Sequence, residues 1–389
     1  MNDTLLITLT GRDRPGVTSR LFGLLARFPL QVADIEQVVI RGRLVLGVLV
    51  TCGEPPDLTA IHRAVTGLAS DMGLEAEITA GSSEVPSSRR GLLHVTLIGS
   101  PLRPEDVAAV TGRIAASGAN IDRITRLASE PVTSIELDVS GADPALLRAD
   151  LARESADRRV DVAVQRGGLD RRAMRLIVMD VDSTLIQDEV IDLLASHAGC
   201  ADEVAKVTAA AMRGEMDFAA SLRERTSLLS GLDVSILDTV RSSLRLTPGA
   251  RTLIATLKRL GYRCGIVSGG FAQVIDPLAS SLGIDYVAAN VLEIAGGKLT
   301  GRVLDPVIDS DGKAATLRRF AAEAGVPLSQ TVAVGDGAND LGMLAAAGLG
   351  VAFNAKPVVQ DAADTALNVP YLDAILYLLG IPRSDVALS

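Results

Sequence analysis

Two stretches in the first part of the chain repeat one pattern of apolar and polar positions. Residues 5–9 and 93–97 are apolar runs of strand character, and each passes through a glycine-containing turn into a helix, expected over 17–28 in the first copy and 104–117 in the second. Strands of matching character follow, at 32–40 and 44–51, then again at 121–127 and 132–139, and a final helix and strand close each unit. This βαββαβ order gives an antiparallel sheet with helices on one face. Residues 81–90, Gly-Ser-Ser-Glu-Val-Pro-Ser-Ser-Arg-Arg, are rich in breakers and read as the linker between copies.

Beyond residue 175 the pattern changes to apolar runs that each stop at a polar, glycine-rich loop: 176–179, 266–267 and 332–334. Between the first and second runs, residues 188–246 read as helices, with apolar positions three and four apart through Val190, Leu193 and Leu194 and again through Phe218, Leu222, Leu228 and Leu229. A helical insert of this kind can close over a site and exclude water.

The loops carry the candidate chemistry. The first run ends in Asp180-Val-Asp182-Ser-Thr184, and two carboxylates one residue apart point to the same side of an extended backbone. One can attack a phosphorus atom while the other moves the proton, provided a metal offsets the negative charge. The plain alternative is a strand ending in two solvated acids. A calcium-binding loop counted from Asp180 would need Gly sixth and Glu twelfth, where Leu185 and Ile191 stand, so that reading fails. The second run ends in Ser268-Gly269-Gly270, where backbone N–H groups can approach a phosphate closely. Lys313 follows Asp311-Gly312 at an expected helix start, which brings an ammonium and free N–H groups to the same anion. The third run ends in Gly335-Asp336-Gly-Ala-Asn339-Asp340, and Asp336 can complete a magnesium site. Singly, these segments also read as a turn, a solvated lysine and a polar loop.

Taken in order, acid pair, serine, lysine, acid pair, residues 175–389 resemble the haloacid dehalogenase superfamily of phosphotransferases, and within it the phosphoserine phosphatases, in all four superfamily motifs. The resemblance implies a Rossmann-like α/β parallel sheet with a helical cap at about 188–246, preceded by two ferredoxin-like βαββαβ modules at 1–82 and 91–168. It makes Asp180 the nucleophile that becomes an aspartyl phosphate and Asp182 the general acid and base, with Thr184 orienting that acid. It implies Mg2+ held by Asp180, Asp336 and the backbone carbonyl of Asp182. Ser268, Gly269 and Lys313 would hold the phosphate oxygens, Asn339 would reach the substrate phosphate and Asp340 would orient Lys313. In the cap, Glu189 would take the ammonium of phosphoserine and Arg225 its carboxylate, with Phe218 beside them; Phe218, Ser221, Leu222 and Arg225 share one helical face. The ordinary reading of Arg225 is a surface arginine like Arg223.

The first turn, Gly11-Arg-Asp13-Arg-Pro15-Gly16, resembles the ligand loop of ACT domains, which bind amino acids in regulated metabolic enzymes. That resemblance implies an amino-acid effector, serine above others, at Asp13 and Gly16. The second copy has Gly99-Ser-Pro-Leu-Arg-Pro104 there, without the Asp and the final Gly. A purely structural reading, in which the modules join copies of the chain through sheet edges, stays open and makes a homodimer or higher homo-oligomer the expected state.

Composition narrows the field. A net charge of -9 and a pI near 5.0 over 389 residues supply no basic face for nucleic acid. Arg171, Arg172 and Arg175 form a local cluster, read as solvated linker. Cys52, Cys200 and Cys264 are scattered and show neither a disulfide frame nor zinc spacing. The first residues lack a basic start and a cleavable signal, and no apolar stretch reaches membrane-spanning length, so a cytoplasmic enzyme is expected and P-type ion pumps are disfavoured. The reading is a magnesium-dependent phosphoserine hydrolase at the last step of serine biosynthesis. Its rivals are a phosphatase of the same superfamily acting on another small phosphate or a phosphoprotein, and a non-catalytic amino-acid sensor, which would need a lesion in the four motifs.

Overall fold

The computed structural model describes residues 3–52, 57–82, 92–156, 158, 160–168, 171, 173–213 and 215–386. Most of the expected linker, at 83–90, lies outside the described residues, as does Arg172. The chain separates into two compact units, Met1–Arg89 and Arg90–Ser389.

The smaller unit runs β1 (Asp3–Arg12), α1 (Val17–Leu25), β2 (Leu30–Ile40), β3 (Arg43–Cys52), α2 (Leu58–Met72) and β4 (Leu74–Ser82). Its sheet has the order β2-β3-β1-β4, antiparallel throughout. Alternation along β3 turns Leu44, Leu46, Val48 and Val50 inward, where α1 and α2 bury Val17, Leu21 and Leu25 and Ile61, Val65 and Ala69 at helical spacing. Helix α1 stops at Leu25, short of the expected residue 28, because Phe28 precedes Pro29 and the ring disfavours a helical residue before it.

The larger unit opens with a second copy: β5 (Leu93–Gly99), α3 (Pro104–Ala116), β6 (Asn120–Ala128), β7 (Thr133–Ser140), α4 (Pro144–Ala156) and β8 (Val160–Arg166). Its sheet order, β6-β7-β5-β8, is that of the first copy. There follow β9 (Leu176–Asp180), four helices α5 (Val190–Ala198), α6 (Ala201–Met212), α7 (Phe218–Ser227) and α8 (Ile236–Ser243), then α9 (Ala250–Arg259), β10 (Arg263–Phe271), α10 (Ala272–Leu282), β11 (Tyr286–Ala295) and β12 (Lys298–Leu304). The last part is α11 (Ser310–Glu323), β13 (Thr331–Gly335), α12 (Leu341–Ala346), β14 (Leu349–Phe353), α13 (Pro357–Ala362), β15 (Thr365–Leu367) and α14 (Ile375–Leu378).

These strands form one sheet of order β12-β11-β10-β9-β13-β14-β15, parallel except for β12. It is covered on both faces. Ile177 and Met179 of β9 pack with Leu253, Ile254 and Leu376, while Leu176 and Val178 pack with Leu317, Phe320 and Leu344. The chain leaves β9 for β10 on one side and returns to β13 on the other, so a crevice opens at the C-terminal ends of these strands.

The second βαββαβ copy shares a core with this sheet. Ile98, Leu127, Ala128, Val132 and Ala163 belong to the same apolar cluster as Ile177 and Met179. Arg171 corrects the solvated-linker reading: it is buried, ion-paired with Glu136, and donates to the carbonyls of Leu378 and Tyr377. Asp161, also buried, accepts from the backbone N–H of Asn368 at 2.7 Å and of Val369 at 3.2 Å. A buried guanidinium needs its donors filled, and the carbonyls at the end of α14 together with Glu136 fill them.

Candidate active site

Asp180 is the last residue of β9, level with Val267 of β10, and the buried apolar runs 176–179 and 264–267 deliver Asp180 and Ser268 to the crevice. Beyond Asp180 the chain makes one wide turn over Val181–Leu185, closed by the Ile186 N–H donating to the Val181 carbonyl at 2.9 Å. Ser183 sits in this turn with φ of 55°, a left-handed conformation uncommon outside glycine. The turn separates the two carboxylates. Asp180 pairs with the Lys313 ammonium at 2.7 Å and accepts the Val181 N–H at 2.7 Å. Asp182 accepts from the Val190 N–H at 2.8 Å and the Ser268 hydroxyl at 3.1 Å.

Lys313, in the first turn of α11, is 1% exposed and lies 2.7 Å from both Asp180 and Asp340. Burial disfavours its charge, but the two carboxylates outweigh burial and hold the ammonium above its ordinary range. Asp340 is fully committed: one oxygen takes Lys313 and the other the Gly337 N–H at 3.0 Å. Asp336 accepts from the Thr184 hydroxyl at 3.0 Å. This corrects the expectation that Thr184 orients Asp182, because the wide turn aims its side chain at the β13 loop.

Glycines let these groups converge. A Cβ on Gly269 would stand 2.9 Å from the Phe218 ring, and one on Gly270 would stand 3.0 Å from an Asp182 oxygen. A Cβ on Gly335 would collide with the Asp340 carboxyl at 2.4 Å.

The charge of the cluster is lopsided. Asp180 is pushed well above the usual carboxylate range, first by burial, with Lys313 opposing and Asp340 and Asp182 adding to the rise. Burial also raises Asp182, against its two hydrogen bonds. Asp336 is pushed up to about 6 by burial and by Asp340. Asp180, Asp336 and Asp340 each offer an oxygen within 4.8 Å of the others. Asp180, like Asp340, has one oxygen on Lys313 and the other on a backbone N–H, but Asp180 and Asp336 line the cavity and Asp340 does not, so they are the carboxylates of that trio placed to meet a hard divalent cation, which would relieve the excess negative charge.

The cap encloses the cluster in a cavity of about 800 Å³ lined by Asp180, Asp182, Glu189, Phe218, Ser221, Arg225, Gly269, Lys313, Asp336 and Asn339. Glu189 is pushed up to about 7 by burial and the neighbouring Asp182 charge, while the Ser183 hydroxyl, 2.8 Å away, pulls it down. Arg225 has no carboxylate within ion-pair distance among the described residues; its Nε–H donates to the Ser221 carbonyl at 3.3 Å. Arg223 instead pairs with Asp305. Thus the residues expected at the catalytic site line one cavity except Ser268, Thr184 and Asp340, which stand behind it and touch it through Asp182, Asp336 and Lys313. Sequence reasoning missed Lys356, an exposed lysine that also lines the cavity. Its signal is the same as that of the others, a polar residue just past the apolar run of β14.

In the smaller unit, Asp13, Gly16, Thr18, Gln37 and Leu44 line a cavity of about 420 Å³ at the first turn. The corresponding turn of the second copy folds on itself, and a Cβ on Gly99 would stand 2.8 Å from the Leu102 backbone.

Comparison with known proteins adds family evidence. Residues 177–345 match the haloacid dehalogenase-like hydrolases, and 3–79 and 93–165 match ACT domains. The chain is 60% identical over 388 residues to a phosphoserine phosphatase of Streptomyces coelicolor, covering 98% of this chain and 93% of that one. It is 50% identical to the phosphoserine phosphatase SerB2 of Mycobacterium tuberculosis, with 98% and 94% covered. A solved phosphoserine phosphatase described as a phospho-aspartyl intermediate analogue superposes with a TM-score of 0.50 at 41% identity, over 53% of this chain and 98% of that one.

Proposed function

The chain belongs to the phosphoserine phosphatases, a family of haloacid dehalogenase-like hydrolases, and on that premise we propose that it hydrolyses O-phospho-L-serine to L-serine and phosphate through an aspartyl phosphate on Asp180. The observation that carries the mechanism is the division of labour between the two carboxylates. Asp180 lies against a lysine, as a nucleophile facing a dianion must, while Asp182 has no cation within ion-pair distance among the described residues and is placed for proton transfer by the Val190 N–H and the Ser268 hydroxyl.

In this reading Asp180 attacks phosphorus as Asp182 gives its proton to the departing serine oxygen. Asp182 then takes a proton from the water that cleaves the acyl phosphate. Ser268, Gly269, Lys313 and Asn339 hold the phosphate oxygens, with Asp340 fixing Lys313. Magnesium, held by Asp180, Asp336 and the Asp182 carbonyl, would neutralise charge on the transferred group. Thr184 keeps Asp336 in place. Glu189 takes the substrate ammonium and Arg225 its carboxylate under Phe218.

We assign residues 1–82 and 91–168 to ACT modules and 175–389 to the hydrolase with its cap, in a cytoplasmic enzyme that supplies serine as the last step of its synthesis. The cavity at Asp13 and Gly16 supports amino-acid regulation, with serine the first effector to test. The exposed apolar edge of β2, with Val32, Ile35, Val38 and Ile40, supports assembly into homodimers or larger oligomers. No helix among the described residues is long and apolar enough to cross a membrane.

The deciding experiment is phosphate release across phosphoserine, phosphothreonine, sugar phosphates, an aryl phosphate and phosphopeptides, with and without magnesium. Phosphoserine should lead by a wide margin and only with the metal. Equal turnover across the panel would point to a generalist of the same superfamily.

A further inference from the structure

Ser221 holds a hydroxyl with nothing to do in the resting fold. The residue is 1% exposed, and its Oγ is buried without a hydrogen-bond partner among the described residues. Several helical serines and threonines elsewhere in this chain return their hydroxyl to a carbonyl one turn back: Ser196 to Asp192, Thr208 to Val204, Ser280 to Asp276 and, in the same helix as Ser221, Thr226 to Leu222. Ser221 does not. A buried hydroxyl left unpaired is costly, so its persistence at this place asks for a partner that the free protein lacks.

Its place supplies the partner. Ser221 lines the catalytic cavity one helical turn before Arg225, on the same face of α7. The Arg225 Nε–H already donates to the Ser221 carbonyl at 3.3 Å, which draws the guanidinium over this turn and leaves its terminal nitrogens for another anion. An anion gripped by those nitrogens would lie against the helical turn that carries Ser221, and turning the Ser221 hydroxyl toward it breaks no hydrogen bond among the described residues.

We propose that Ser221 is a substrate-specificity residue whose hydroxyl donates to the carboxylate held by Arg225, so that the cap reads this group with a guanidinium and a neutral donor together. The proposal rests on the phosphoserine reading above. Of the buried unpaired hydroxyls among the described residues, Thr96, Ser134, Ser221 and Thr365, Ser221 is the one that lines the catalytic cavity. The bond forms only when a carboxylate arrives.

The test compares Ser221→Ala and the near-isosteric Ser221→Cys with the unaltered enzyme on phosphoserine and on phosphoethanolamine, which keeps the ammonium and lacks the carboxylate. A hydrogen bond to a charged acceptor predicts a loss of about 10- to 150-fold in kcat/KM on phosphoserine for both variants. The loss on phosphoethanolamine should stay within a few-fold, and Tm should hold or rise as an unpaired polar atom is removed. Unchanged phosphoserine kinetics with a raised Tm would overturn the proposal and leave Ser221 as an idle defect. Equal losses on both substrates would overturn it as well. If the unaltered enzyme showed no preference for phosphoserine over phosphoethanolamine, the phosphoserine reading itself would fall, an outcome distinct from a silent Ser221 in an enzyme that keeps its preference.

Discussion

A half-buried guanidinium with no carboxylate in ion-pair distance among the described residues is the most telling residue of the cap. Burial lowers the proton affinity of Arg225, and Asp192, Glu189 and Asp182 restore part of it from a distance. A substrate carboxylate would complete the pair. Arg225→Ala should therefore lose about 2 to 5 kcal/mol of binding in the closed site, or roughly 30- to several-thousand-fold in kcat/KM on phosphoserine. An aryl phosphate should lose far less; equal losses would assign Arg225 to structure. Glu189 gives a pH prediction. Its carboxyl is held up to about 7, so its ammonium-binding form is depleted below that pH. kcat/KM for phosphoserine should fall as pH drops through about 7, and Glu189→Gln should lower the plateau and remove that limb. The sign for stability is opposite. Glu189 and Asp336 bind protons more tightly folded than unfolded, so without divalent cations Tm should fall as pH rises from about 4 to about 7, and magnesium should offset the fall. A flat Tm profile in chelator would contradict the charge account. At this scale the sequence was readable for groups at strand ends and unreadable for their partners: nothing near Thr184 shows that its hydroxyl reaches Asp336, 152 residues away. Arg171 was misread because flanking arginines resemble a solvated run, while its partner Glu136 lies in another element.

Among the elements, three apolar strands ending at one crevice made the site legible, because each run and its polar terminus are local in sequence. β9, β10 and β13 are buried along their lengths, so a polar residue at their ends stands out. The adjacency of these ends depends on strand order, which single strands do not encode. The loop glycines carry the next prediction. Gly335→Ala places a methyl group 2.4 Å from the Asp340 carboxyl, and the displaced carboxylate releases Lys313. Overpacking there should cost about 1 to 3 kcal/mol, with a Tm lower by several degrees and turnover reduced far more than stability. Retained turnover would mean that Asp340 does not govern Lys313. Helix ends were less readable than their interiors, as with α1, where Pro29 ends the helix before its apolar pattern does.

For the whole molecule, the repeat predicted two βαββαβ modules, the second without the Asp and final Gly of the ligand loop, and the structure shows what that second copy packs against. The second is built into the hydrolase core through Ile98, Val132 and Ala163 and clamped by Arg171 and Asp161. Removing one partner of a buried ion pair typically costs about 3 to 5 kcal/mol, so Arg171→Ala should lower the Tm of the catalytic unit itself; an unchanged Tm would mean the contact is dispensable. Repeat pattern alone could not reveal this, since the face that packs on the hydrolase carries polar residues such as Gln165 and Asp161, whose partners Leu378 and Asn368 lie more than 200 positions later. The central claim concerns one bond, between a carboxylate oxygen of Asp180 and phosphorus. In an Asp182→Asn variant, which on this account lacks both the acid for the departing serine and the base for hydrolysis, a single turnover of an aryl phosphate, whose leaving group needs no proton, should be run with magnesium, stopped in acid, and the digested protein mapped by mass spectrometry. The account predicts one phosphoryl group on the peptide spanning 176–186, assigned to Asp180 and lost at alkaline pH as an acyl phosphate is. A phosphoryl group on a serine or on another carboxylate, or free phosphate released at the normal rate with no covalent species, would contradict it.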